Sequence, residues 1–113
     1  MAREYSDYIE DILIAMDKAS SFIEGINFDD FKSDDKTIFA VVRAIEIIGE
    51  ATKHIPEDAR QKYSEIPWKE MAGMRDVLIH DYISVDVETV WLTANNKIPQ
   101  IRPLIDKMAK ELE

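Results

Sequence analysis

The amino-acid sequence predicts an all-α protein, most simply an up-down bundle of four main helices with one short additional helix. Two observations lead to this fold class. Apolar residues recur at spacings of three and four along most of the 113 residues, and alternation with the period of a β-strand never extends beyond a few residues. The length suits a single domain, residues 1–113, around one hydrophobic core.

The first helix is predicted to begin at Tyr5 and to end near Gly25. Its apolar residues fall on one stripe of the helix, as in an amphipathic helix that packs against a core. The stripe consists of Tyr5, Tyr8, Ile9, Ile12, Met16, Ala19 and Ile23.

The next residues, NFDDFKSDDK at 27–36, predict a turn. Ser33 or Asp34 can cap the following helix by accepting a hydrogen bond from a free backbone N–H. The aspartates lack the glycine and the closing glutamate of an EF-hand loop, so they predict a solvated loop and a cap rather than a calcium site.

The second helix, about residues 35–54, is apolar almost around its whole circumference. Such a helix is buried either at the centre of a bundle or between subunits. The main stripe contains Ile38, Val41, Val42, Ile45 and Ile48, and it is widened by Phe39, Ala44, Ile47 and Ala51. The polar ridge contains Arg43, Glu46, Glu50 and His54.

The remaining elements are marked by proline and by capping residues. The segment after Pro56 predicts a brief helix or turn, and Pro67 predicts the first position of the third long helix. A further helix should start at Ser84 or Asp86 and be kinked or broken around Pro99 and Pro103.

Composition limits the functional classes. The net charge of −9 opposes a surface built for nucleic-acid binding, although residues 1–37 carry −6 of it and residues 38–113 only −3. The chain has no cysteine, and no apolar run approaches the ~20 residues of a membrane helix. The first residues do not resemble a signal peptide, so we expect a cytoplasmic protein that does not contact the membrane.

One short stretch, RDVLIHDY at 75–82, concentrates residues that carry chemistry. On a regular helix Arg75 lies in the middle of an apolar stripe, with Tyr82 about 20° and His80 about 140° away around the axis. A guanidinium in that position must be paired, or must open into a cavity or interface. Arg can bind a phosphate through two hydrogen bonds and His can transfer a proton near neutral pH, which suits phosphoryl chemistry without a metal.

Structural roles for the same residues remain open. Arg75 can form an ion pair with Glu46 or Glu50, His80 can interact with a helix C-terminus, and Tyr82 can pack with its hydroxyl in water. We expect His54, the five methionines, Trp68 and Trp91 to be structural rather than part of a site.

The spacing R-x-x-x-x-H-x-Y, here Arg75, His80 and Tyr82, resembles the signature of HepT-like toxins in the HEPN superfamily of nucleotide-binding domains. Three longer blocks resemble that family in the same order, so the resemblance covers nearly the whole chain. They are RAIEIIGEATKHIP at 43–56, IPWKEMAGMRDVLIHDY at 66–82 and VDVETVW at 85–91.

The resemblance implies a HEPN-like homodimer that cleaves RNA, such as tRNA or mRNA, without metal or cofactor at a composite site where two motifs meet. It implies Arg75 and His80 as the catalytic pair. It also implies a minimal nucleotidyltransferase antitoxin as partner, which transfers AMP to the motif tyrosine, here Tyr82. Asp76 departs from the usual polar residue after the motif arginine and adds negative charge there as a supporting site residue. The alternative is a HEPN module that binds nucleotides or docks the nucleotidyltransferase without catalysis.

Overall fold

The computed structural model describes residues 4–78 and 86–113, with side chains for 4–74 and 86–113, and these residues form helices and connections without a strand. The prediction of an all-α protein is confirmed. The α-helices are α1 (Tyr5–Phe22), α2 (Phe28–Lys32), α3 (Asp35–Thr52), α4 (Glu57–Lys62), α5 (Trp68–Leu78), α6 (Val87–Leu92) and α7 (Ile98–Glu111), and a π-helical segment (Thr93–Lys97) joins α6 to α7.

Two contacts fix the direction of α1 relative to its neighbours. The rings of Tyr8, early in α1, and His54, after α3, stack with centroids 4.3 Å apart, so α1 and α3 are antiparallel. Arg102, early in α7, donates to both carboxylate oxygens of Asp17, late in α1, at 2.7 and 3.2 Å. These hydrogen bonds lower the pKa of Asp17. Helix α7 therefore also runs antiparallel to α1.

The start of α5 lies at the same end of the molecule as the start of α1. The Trp68 indole N–H donates to the Tyr63 carbonyl at 3.1 Å. The Tyr63 hydroxyl is hydrogen-bonded to Glu111, the last residue of α7, and this bond raises the pKa of Tyr63, with a smaller contribution from nearby Tyr5. Because α5 begins here, its C-terminal turns run towards the opposite end of α1, where Phe22 lies.

Helix α3 lies at the centre of the molecule and packs against α1, α2, α5 and α6. This packing buries Ile38, Val41, Val42, Ala44, Ile45, Ile48, Gly49, Ala51 and Thr52. Of the two explanations for its apolar character, burial within the chain accounts for nearly all of it. Phe39 is the exception, with 73% of its surface exposed.

The prediction of a simple turn at 27–36 is wrong in one respect, because the segment contains helix α2. The Asn27 side chain caps α2 by accepting from the Asp30 N–H at 2.9 Å. Phe31 is fully buried, and its ring lies 5.3 Å from that of Trp91. Asp34 caps α3 as predicted, accepting from the Thr37 N–H at 3.1 Å. The Asp30 carboxylate accepts in return from the Asn27 N–H at 3.5 Å, so Asp30 and Asp34 are both capping residues.

The ends of the other helices follow the predictions closely. Helix α1 ends at Phe22, shortly before Gly25, whose φ of 77° suits glycine. Pro67 immediately precedes α5, and its carbonyl accepts from the Met71 N–H at 3.0 Å. Asp86 caps α6 by accepting from the Thr89 N–H at 3.2 Å, whereas Ser84 lies outside the described residues.

The sequence predicted a helix kinked or broken around Pro99 and Pro103, and the break is wrong, since α7 is continuous through both. Pro99 lies in the first turn of α7 directly after the π-helical segment, and its ring leaves no N–H to bond a carbonyl of that segment. Pro103 lies inside the helix, on a turn flanked by Ile101 and Ile105, both buried in the core. The burial of these two isoleucines stabilises the helix although Pro103 cannot donate the usual backbone hydrogen bond. None of the described helices is long and apolar enough to cross a membrane.

Candidate functional site

The predicted catalytic motif begins on α5. The backbone of Arg75 and Asp76 is helical, and their side chains are outside the described part of the structure. His80 and Tyr82 lie outside the described residues. The mutual geometry of the three motif side chains therefore remains a prediction from the sequence.

The described turns of α5 show how Arg75 is placed. Trp68 and Met71, seven and four residues before it, are 6% and 0% exposed, and the helix packs against α3. Residues at these spacings share one face of a helix. Trp68 and Met71 are thus buried on the face of α5 to which the sequence assigns Arg75.

Glu46 and Glu50, the carboxylates considered as ion-pair partners of Arg75, lie on the side of α3 next to α1. Glu46 and Glu50 line a cleft of about 340 Å³ together with Tyr8 and Asp11 of α1. They therefore lie beside α1, and an ion pair of either carboxylate with Arg75 stays a prediction, because the Arg75 side chain is outside the described part of the structure. His54 lines the same cleft and stacks on Tyr8, in keeping with the structural role expected for it.

An open groove of about 960 Å³ lies between α4, α5 and the π-helical segment, and we call it the α4–α5 groove. The Lys97 ammonium lies 2.7 Å from a Glu70 carboxylate oxygen and joins the π-helical segment to α5. Polar residues outnumber apolar ones in its lining, while most of the lining surface is apolar and includes Trp68 and Met74.

Basic residues are relatively concentrated in the α4–α5 groove. Arg60, Lys69 and Lys97 line it, against two acidic residues, Glu57 and Glu70, in a chain with a net charge of −9. Arg60 is already engaged, since it donates to the carbonyl oxygens of Ile55 at 3.0 Å and Thr52 at 2.8 Å. These bonds satisfy carbonyls at the end of α3 and fix the guanidinium at the groove wall.

The sequence did not indicate this groove, because it is formed by elements distant in the chain. One signal was present: Gly73 occurs within an amphipathic helix, where glycine is unfavourable without a reason of packing or function. As for metals, no group of three or more His, Asp or Glu suited to holding an ion occurs within 4–74 and 86–113.

Comparison with known proteins gives a consistent result. A family model described as "Ribonuclease HepT-like" matches residues 12–108. A Thermococcus cleftensis protein provisionally named ribonuclease HepT is 49% identical over 110 residues, covering 97% of this chain and 100% of the relative. A provisionally named RNase of Methanocaldococcus jannaschii is 45% identical over 111 residues, covering 98% of this chain and 96% of the relative. No solved structure matches the chain.

Proposed function

Because this chain belongs to the HepT-like ribonuclease family, we propose that it is a metal-independent endoribonuclease, the toxin of a type II toxin–antitoxin system. Its fold is then a HEPN-like up-down four-helix bundle forming one domain, and it acts in the cytoplasm. The observation that carries the proposal is the position of Arg75 on α5, on the face that buries Trp68 and Met71, at the start of the family motif.

The proposed chemistry uses the RNA itself as the source of the nucleophile. The 2′-hydroxyl attacks the adjacent phosphorus, and the bond from phosphorus to the leaving oxygen breaks. Arg75 stabilises the charge on the phosphoryl oxygens in the transition state, and His80 transfers a proton near neutral pH. Since these steps need a base, an acid and a positive charge, one His in each of two subunits is sufficient.

A homodimer would supply the second motif. Phe39 and Phe22 are 73% and 40% exposed, and the antiparallel packing of α1 on α3 puts them at the same end of the molecule. Helix α5 runs towards that end and carries Arg75 with it. Exposed aromatic residues near the motif support an interface there, in which two Arg75 and two His80 side chains form one composite site.

The test of this function is cleavage of purified RNA by the purified protein in the presence of EDTA. We expect cleavage to persist at an unchanged rate when divalent cations are removed, because the proposed acid, base and positive charge are all side chains. Cleavage that requires added Mg²⁺ or Mn²⁺ would contradict metal independence. If the protein leaves both tRNA and mRNA intact in EDTA and also with added divalent cations, the RNase assignment is wrong.

The second candidate function is a HEPN module that binds a nucleotide or docks the nucleotidyltransferase without catalysis. The net charge of −9 favours it, because this charge repels RNA at long range, and one of the negative charges, that of Asp76, directly follows the motif arginine. A tight complex with the nucleotidyltransferase, together with RNA that stays intact after prolonged incubation, would support this alternative.

We expect the nucleotidyltransferase antitoxin to inactivate the toxin by AMPylation of Tyr82. The tyrosine oxygen attacks the α-phosphorus of ATP, a Tyr–AMP phosphodiester forms, and pyrophosphate leaves. The attached phosphate would occupy the place of the scissile phosphate near Arg75 and block cleavage. Intact-mass measurement after incubation with the antitoxin and ATP should show added AMP, which is lost in Tyr82→Phe and kept in Tyr63→Phe. Added AMP on the Tyr82→Phe protein would place the modification elsewhere.

A further inference from the structure

The α4–α5 groove leads along the motif helix. Lys69, Gly73 and Met74 of α5 all line it, and Arg75 follows directly in the chain. On the opposite side, Thr93 and Lys97 line it from the π-helical segment. Short π-helical stretches within helices occur often at functional sites, because they redirect the side chains of one turn. Here the stretch presents a lysine to the groove opposite the helix that carries the catalytic arginine.

The charge of the groove suits a polyanion. Lys69 is exposed, and Lys97 and Glu70 keep about half of their side-chain surface in water, so a phosphate can approach the Lys97 ammonium beside its ion pair. Arg60 adds a fixed positive charge at the wall. Hydroxyl and amide groups of Ser64, Gln61 and Thr89 add neutral hydrogen-bonding groups. Lysine and neutral polar side chains are typical contacts of phosphate and sugar groups.

Gly73 opens the α5 side of the groove. A Cβ atom built at Gly73 meets no described atom within 4 Å, so packing within the described chain does not require glycine there. Glycine is nevertheless unfavourable inside a helix compared with alanine. Close approach of a ligand to the helix backbone is one of the reasons for glycine at such a position.

From these observations we propose that the α4–α5 groove binds the sugar-phosphate backbone of single-stranded RNA next to the cleavage site. Lys69 and Lys97 contact phosphates, and Gly73 allows the strand to lie against α5. The proposal rests on the RNase function proposed above and extends it with a substrate-binding surface. It also explains how a protein with a net charge of −9 holds a polyanion: through a local groove in which basic residues outnumber acidic ones.

The experiment measures binding apart from cleavage. A fluorescein-labelled oligouridine is titrated with the His80→Ala protein, and its fluorescence anisotropy gives the Kd at several salt concentrations. The test protein adds Lys69→Gln and Lys97→Gln. The matched control adds Lys107→Gln and Lys110→Gln on α7, which remove the same charge from exposed positions outside the groove. Lys110, like Lys97, is paired with a carboxylate, that of Asp106 at 3.0 Å.

We expect the groove substitutions to raise the Kd several-fold more than the control substitutions. They should also reduce the slope of log K against log salt by about 1.4, the value for two lost phosphate contacts on a single strand. A third variant, Gly73→Gln, fills the groove without a change of charge and with a better helix former. It should weaken binding while the Tm stays the same or rises.

Equal Kd values for the groove and control variants would overturn the proposal, as would tight RNA binding by the Gly73→Gln protein. If the groove substitutions weaken the complex with the nucleotidyltransferase and leave RNA binding intact, the groove is a protein-docking surface and the proposal is wrong. The RNase assignment is tested separately: wild-type protein that cleaves RNA in EDTA supports that assignment even if the groove variants bind normally. If RNA binding depends on the groove but the wild-type protein cleaves no RNA, the groove proposal is supported and the RNase assignment is wrong.

Discussion

Substitution of His80 by alanine is expected to lower the rate of RNA cleavage by about 10²–10⁴-fold, the contribution typical of a residue that transfers a proton in the transition state. In the proposed site no other side chain of the motif can accept and return a proton near neutral pH, because arginine stays protonated and tyrosine titrates near pH 10. Single-turnover cleavage of a labelled RNA in EDTA measures the effect. In cells, the same substitution should relieve growth arrest.

The chain provides a matched control in its other histidine. His54 stacks on Tyr8 and lines the cleft between α1 and α3. His54→Ala removes one exposed ring contact outside the proposed site, so it should leave the cleavage rate nearly unchanged and change the free energy of unfolding by less than about 0.5 kcal/mol. Persistent cleavage by the His80→Ala protein would remove His80 from the mechanism. If both variants fold but neither cleaves RNA, the loss of cleavage is not particular to His80, and the experiment does not support a catalytic role for it.

Substitution of Phe31 by alanine is expected to lower the free energy of unfolding by about 3–5 kcal/mol, as for other fully buried phenylalanines. Phe31 is 0% exposed and packs on Trp91, so it joins α2 to α6. Its removal leaves a cavity and also takes away the contact that holds the five-residue helix α2 in place. Urea denaturation followed by circular dichroism measures the change.

Phe39 is the control for Phe31, because it has the same side chain with 73% of its surface exposed. At low protein concentration Phe39→Ala should change the free energy of unfolding by less than about 0.5 kcal/mol. If Phe39 lies in the proposed homodimer interface, the loss in the free energy of unfolding caused by Phe39→Ala should grow with protein concentration, because dimer formation stabilises the folded state by mass action. A loss as large as that of Phe31→Ala at every concentration would mean that Phe39 is buried within the chain itself.

The sequence predicted the main helices well because local signals and burial agree there. Asp34 and Asp86 start α3 and α6 as capping residues, and the apolar stripe of α3 is the stripe that the molecule buries. Prediction from the sequence was wrong where tertiary contacts override the local preference for secondary structure. The polar segment containing α2 becomes helical because Phe31 is buried, and Pro103 stays inside α7 because the flanking Ile101 and Ile105 are held in the core.

The catalytic hypothesis came from the sequence, because the spacing of Arg75, His80 and Tyr82 within one short segment needs no knowledge of distant contacts. Helical periodicity also fixed which face of α5 carries Arg75, and the burial of Met71 agrees with it. What only the tertiary structure decided is the surroundings of that helix. The α4–α5 groove joins residues as distant in the chain as Arg60 and Lys97, and Phe22 and Phe39 lie at the same end of the molecule only because α1 packs antiparallel on α3. Such surfaces depend on which helices pack together, and the hydrophobic pattern of a single helix determines the face it buries but not the neighbour that covers it.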